Sequence, residues 1–118
     1  AGAEAVRGAV ALGHVDRIEE AYAAADVVVC ASRSEGPPYA VLEAMWCGVQ
    51  VVGTPVGDVP WIVGDAGLLT DDLAEGLERL LDPARRAALG RRGAEAVRER
   101  FPASAVAPRL RDFYARAC

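Results

Sequence analysis

An α/β fold, with a parallel sheet flanked by helices, is what this 118-residue sequence predicts. Three observations carry that expectation. Short apolar runs at residues 9–12, 27–31, 49–53 and 66–70 alternate with stretches of helical periodicity. The run Val27-Val28-Val29-Cys30-Ala31 lacks polar alternation, as a strand covered on both faces does. Hydrophobic residues make up 53% of the chain and charged ones 25%, enough to bury a core and too apolar for disorder. No apolar run approaches the ~18 residues that would span a bilayer, so the chain reads as soluble and globular.

Taken in order, Ala9-Val10-Ala11-Leu12 reads as a strand that leaves into a loop at Gly13. Asp16 then opens a helix, with Glu19 completing a capping-box pattern and Ile18, Ala21, Tyr22 and Ala25 on one face. After the Val-rich strand comes a loop of Ser, Arg, Glu, Gly and two prolines at 32–38. Pro38 suits a first helical turn, and Tyr39 to Cys47 follow as a helix closed by Gly48. Val49 to Gly53 is a further buried strand, 54–60 a loop, 61–63 a single helical turn and 66–70 a last strand. Asp71 or Asp72 caps a helix whose Leu73, Leu77, Leu80 and Leu81 face the core. Asp82-Pro83 starts a long Ala/Arg helix that Pro102 stops, and Val106 to Tyr114 forms a terminal helical segment. The whole, 1–118, reads as one partial domain, with 83–118 its C-terminal helical tail.

Charge is unevenly spread. All 13 basic residues are arginines; residues 1–82 carry 14 acids and 4 arginines, a charge of −10, and residues 83–118 carry 3 acids and 9 arginines, or +6. Arginines of the tail alternate with Glu95, Glu99 and Asp112 and have no interleaved aromatics, so they read as a solvated helix face and not as a nucleic-acid surface. Cys30, Cys47 and Cys118 match no metal-ligand spacing and read as thiols in a reducing, cytoplasmic compartment. Ala1 is not an initiator and Met45 is the one methionine, which suggests part of a longer polypeptide.

Chemistry concentrates in Ser34-Glu35-Gly36-Pro37-Pro38-Tyr39-Ala40-Val41-Leu42-Glu43-Ala44-Met45. This segment joins the end of a buried strand to a helix N-terminus, where open parallel sheets bind ligands. First-turn N–H groups and the positive end of the helix dipole can hold an anion such as a phosphate there without a lysine. Both prolines lack N–H groups, so the expected donors are the amides of Tyr39 and Ala40, with Val41 a candidate third. Glu35 precedes the turn, and Glu43 lies about one and a half turns into the helix. Carboxylates repel phosphate but accept bonds from hydroxyls, so the layout suits sugars flanking a diphosphate.

Glu35 and Glu43, with seven residues between them, are followed by Ala44-Met45-Trp46-Cys47-Gly48-Val49-Gln50-Val51-Val52-Gly53-Thr54. Together they resemble the donor-binding segment of retaining glycosyltransferases of the GT-B fold, and most closely the nucleotide-sugar-dependent family 4. The likeness extends upstream through Leu12-Gly13-His14-Val15 and residues 25–32, and downstream through Gly57-Asp58-Val59-Pro60 and Gly67-Leu68-Leu69. It implies a Rossmann-like domain, the incomplete C-terminal half of a GT-B fold. Residue by residue, it implies that Glu35 is the catalytic-site glutamate, hydrogen-bonding hydroxyls of the transferred sugar. Gly36, Pro38, Tyr39 and Ala40 would line the sugar and diphosphate, and Glu43 would bind the ribose. Gly13, His14 and Val15 would lie near the base. His14 otherwise reads as a loop residue and not as a general base.

Departures from the family pattern are Pro37 for an aromatic, Ala31 and Gln50 for prolines, and Trp61 for a glutamate. The implied reaction moves a sugar from a nucleoside diphosphate sugar to an acceptor with retention, using no metal and no cofactor beyond that donor. Such enzymes also carry an Arg/Lys pair on an earlier loop and an acceptor-binding N-terminal domain. This chain has no lysine, so the missing N-terminal portion or a companion chain is expected as partner, and the chain alone is expected to be inactive. In the doubly wound order 3-2-1-4-5-6 the four strands would be 3, 4, 5 and 6, which leaves strand 4 an open edge for oligomer formation. The intact enzyme would be a candidate for peripheral membrane contact. The competing expectation is a catalytically incomplete nucleotide-binding or protein-interaction module. A different Rossmann-like enzyme lacks support, since no G-x-G-x-x-G follows the early strand.

Overall fold

The computed structural model describes residues 8–34, 38–102 and Arg116. Eight elements follow in order: α1 (Ile18–Ala24), β1 (Val27–Cys30), α2 (Tyr39–Trp46), β2 (Gln50–Gly53), α3 (Val59–Val63), β3 (Leu68–Leu69), α4 (Leu73–Arg79) and α5 (Pro83–Arg100). The strands form one parallel sheet of order β1-β2-β3. Its register pairs Val28 with Val51 and Val29 with Val52, then Val52 with Leu68. That is the α/β architecture the alternating pattern predicts.

Strand β2 is buried along its length, with Val51 and Val52 at 0% exposure, because both its faces are covered. Val51 joins a core with Tyr22, Val41, Met45, Ile62, Val63 and Val97, drawn from α1, α2, α3 and α5. Val52 faces α4, whose Gly76 lets the helix approach so closely that a Cβ there would lie 2.8 Å from Val52 Cγ1. Burying each such valine stabilises the fold by about 1.5–3 kcal/mol.

Strand β1 departs from the expectation of two covered faces. Val28 and Cys30 pack against the core, but Val29 is 44% exposed, because no described element covers that face of the sheet beyond β2. Among the described residues β1 has β2 as its one strand neighbour.

Other expectations are corrected. Residues 9–12 do not form a strand: Val10 and Leu12 are 82% and 67% exposed, and an apolar run without a neighbouring strand has no partner for its backbone. The last strand is only Leu68–Leu69, while α3 begins two residues before the expected turn. Helix α1 lacks the capping box. Its N-cap is Arg17, without a side-chain cap bond, and Asp16 pairs with His14 instead. Glu19 is recruited elsewhere: its Oε1 accepts from Arg17 Nε at 3.2 Å and Arg116 Nε at 3.0 Å, with Oε2 buried and without a partner among the described residues. Its own backbone N–H and then these arginines hold its carboxyl below the usual range, against the opposing effect of burial. Of the leucines expected to face the core from α4 and its end, Leu80 is buried, but Leu77 and Leu81 point to solvent at 39% and 73% exposure. The expected segment at 106–114 and Cys118 lie outside the described residues.

Helix boundaries elsewhere follow local chemistry. Asp72 accepts from Glu75 N and Asp82 from Ala84 N, each at 3.0 Å, which caps α4 and α5. Gly48 follows α2 with φ +75°, the left-handed C′ conformation that glycine adopts without strain.

The arginines of α5 are not simply a solvated face. Arg86 donates to the carbonyls of Leu80 and Leu81 at the end of α4, Arg98 to that of Trp46 at the end of α2, and Arg100 to those of Trp61 and Ile62 in α3. Each cation meets carbonyls at the negative end of a helix. Arg98 also lies over the Trp46 ring, Arg100 over Trp61 and Phe101, and Arg92 pairs with Asp65. No described helix is long and apolar enough to cross a membrane.

Candidate functional site

The carboxyl ends of β1 and β2 converge on the loop that leads into α2. Thr54, just past β2, holds that loop: its N–H donates to Cys30 O at 3.1 Å and its hydroxyl to Ser32 O at 2.5 Å. Thr70 N in turn donates to Gly53 O at 2.9 Å, so the edge of the sheet is tied across all three strands. Thr54 was visible in the sequence only as part of a motif. Its clamp needs the parallel register of β1 and β2.

Helix α2 starts from this edge. Pro38 is buried and serves as the N-cap, with φ −83° and ψ 80°, one position ahead of the expected first-turn place. Its carbonyl accepts from both Val41 N (3.0 Å) and Leu42 N (3.2 Å). The Val41 amide is therefore committed to the helix, which corrects its place as a third donor. Tyr39 and Ala40 stand ahead of the first intrahelical bond, at the positive end of the dipole. Glu35 and Gly36 lie outside the described residues.

Glu43 sits four residues after Tyr39, on the same helix face. It is half-buried, and Tyr22 of α1 donates its hydroxyl to Glu43 Oε2 at 3.0 Å. Burial first, and then the Glu43 carboxylate and the hydrogen bond to it, push the Tyr22 phenol above its ordinary pKa. The proton stays on the phenol at neutral pH, so the bond has a fixed direction. Tyr22 is a residue that sequence reasoning places on a core face without a polar role. No local signal links it to a carboxylate 21 positions away.

Pro38, Tyr39, Ala40 and Glu43 thus share one helix, and the structure adds Tyr22 to them. Gly13, His14 and Val15 lie on the segment before α1, where Gly13 has φ +64° and the exposed His14 Nε2 is 3.1 Å from Asp16 Oδ1. A cleft of about 320 Å³ lined by Tyr22, Asp26, Cys47, Gln50 and Arg86 opens at the amino ends of the strands. It is the wrong end of a parallel sheet for the expected ligand, because the helix N-termini face the other way.

A parallel sheet flanked by helices, with a helix N-terminus at its carboxyl edge, defines the Rossmann-like class of α/β folds. The solved structure of sucrose-phosphate synthase from Thermosynechococcus elongatus superposes with a TM-score of 0.69 and 34% identity, covering 81% of this chain and 26% of that one. The family model for glycosyl transferases group 1 matches residues 2–83, and the chain belongs to that family. Similar curated proteins include N-acetyl-alpha-D-glucosaminyl L-malate synthase of Bacillus anthracis, 31% identical over 87% of this chain and 29% of the relative. D-inositol 3-phosphate glycosyltransferase of Acidothermus cellulolyticus is 42% identical over 73% of this chain and 20% of its own. The chain spans under a third of the length of these relatives.

Proposed function

We propose that this chain forms the donor-binding part of a glycosyltransferase that moves a sugar from a nucleoside diphosphate sugar to an acceptor with retention. The observation that carries the reading is Glu43, held by a buried phenol one turn inside a helix that starts at the carboxyl edge of the sheet. On this reading Glu43 accepts bonds from the ribose hydroxyls, while the Tyr39 and Ala40 amides meet the diphosphate beside Pro38. Glu35 and Gly36 take the hydroxyls of the transferred sugar. Gly13, His14 and Val15 border the base.

Catalysis then consists of stabilising the departing diphosphate with oriented backbone amides, which need no reorganisation as charge develops. The acceptor and the remaining phosphate contacts come from a further portion of the enzyme or a companion chain. The reaction belongs in the cytoplasm, a placement supported by three cysteines whose number and spacing suit no disulfide framework.

Isothermal titration of the chain with uridine, guanosine and adenosine diphosphates tests the reading. One of them binds, and Glu43→Ala weakens it about ten- to hundredfold, the worth of a hydrogen bond to a charged acceptor. Absence of binding by all three would favour a protein-interaction module in its place.

A further inference from the structure

Glu43 stands one turn inside α2 on a half-buried face, and its side chain has three torsions to order before its oxygens can meet a pair of vicinal hydroxyls. One oxygen is already held. Tyr22 is 8% exposed, its ring packs in the same core as Val41, Leu42 and Met45, and its hydroxyl reaches Oε2 at 3.0 Å from a different helix. A phenol so fixed by its packing has little freedom to follow the carboxylate, so the carboxylate must settle on the phenol.

We infer that Tyr22 is a positioning residue of the nucleotide site, whose hydroxyl fixes the Glu43 carboxylate in the orientation that receives the ribose hydroxyls. The inference rests on the reading of Glu43 as the ribose ligand. One effect follows from the bond. Ordering Glu43 before the ligand arrives removes that entropic cost from binding.

The test compares the wild-type chain, Tyr22→Phe, Glu43→Gln and the double variant. Each is titrated with the best-bound of uridine, guanosine and adenosine diphosphate and with its 2′,3′-dideoxy analogue. Tyr22→Phe keeps the ring in the core and should weaken the ribonucleotide about three- to tenfold while leaving the dideoxy analogue unchanged. In the Glu43→Gln background the same change should have no further effect.

A Tyr22→Phe variant that binds both nucleotides as the wild type does, or that weakens both equally, overturns the inference and leaves the site reading standing. If Glu43→Gln itself leaves ribonucleotide affinity unchanged, the site reading fails and the inference with it. A measurement on the wild-type chain covers the case in which Tyr22→Phe does not fold. With ¹³C-labelled tyrosine, the ribonucleotide should shift the Tyr22 ζ-carbon resonance more than the dideoxy analogue does; equal shifts overturn the inference.

Discussion

Two glycines of one helix should respond to alanine with opposite signs. Gly→Ala inside a helix ordinarily stabilises by about 1 kcal/mol, since alanine loses less backbone entropy on folding. At Gly93, a Cβ would meet Ala66 O and two Met45 side-chain carbons at 3.6 Å, ordinary contact distances, so that gain should be realised at about 0.5–1 kcal/mol. At Gly90, a Cβ would lie 2.3 Å from Gly48 O and 3.3 Å from Gly48 C, both backbone atoms of the turn between α2 and β2. Neither side can swing away like a flexible side chain. Helix α5 would have to retreat by about 1 Å, forfeiting part of its dispersion contact along α2 and leaving a net loss of about 1–2 kcal/mol. A kilocalorie corresponds to roughly 4 °C in Tm for a chain of this size, so the two variants should melt about 6–12 °C apart, on either side of the wild type. Differential scanning calorimetry, supported by urea midpoints at constant slope, reads the difference. A Gly90→Ala chain as stable as the wild type would refute the close approach of α5 to the turn.

Asp72→Ala removes the acceptor for Glu75 N and should cost about 1 kcal/mol in urea unfolding, while Asp72→Asn should recover most of it. Alkaline stability should report Tyr22. Its folded pKa is raised, so its contribution is fully present below the unfolded value of about 10 and is lost as pH rises from there through the folded one. Urea unfolding measured across that range should show a shallower alkaline decline for Tyr22→Phe than for the wild type.

Much of this arrangement was legible because it is local. Asp72 and Asp82 announce their helices, Pro38 and Gly48 bracket α2, and the unbroken valines mark β1 and β2 as neighbours in a parallel sheet. The failures have a common physical source in long-range competition. Residues 9–12 are apolar enough for a strand, but a strand also needs a partner backbone. The Asp16 and Glu19 pattern fits a capping box, yet Arg116, 97 positions away, claims the Glu19 carboxylate together with Arg17. Leu77 and Leu81 satisfy helical periodicity, but they lie beyond what the short sheet can cover. At the site, the helix that carries Glu43 was readable, whereas the phenol that grips it belongs to another helix and has no signature in spacing.

Arg86, Arg98 and Arg100 grip α4, α2 and α3 through main-chain oxygens. A carbonyl is the one acceptor that no substitution removes. Helix α5 therefore braces three neighbours through bonds that survive side-chain change at those ends, including the helix that bears Glu43. A change at Trp61 would forfeit the ring's contacts with Arg100 and Phe101 but keep the bond from Arg100 to its carbonyl. The arginine-rich helix thus fixes the ends of three helices by contacts that belong to the fold and not to any one side chain it meets.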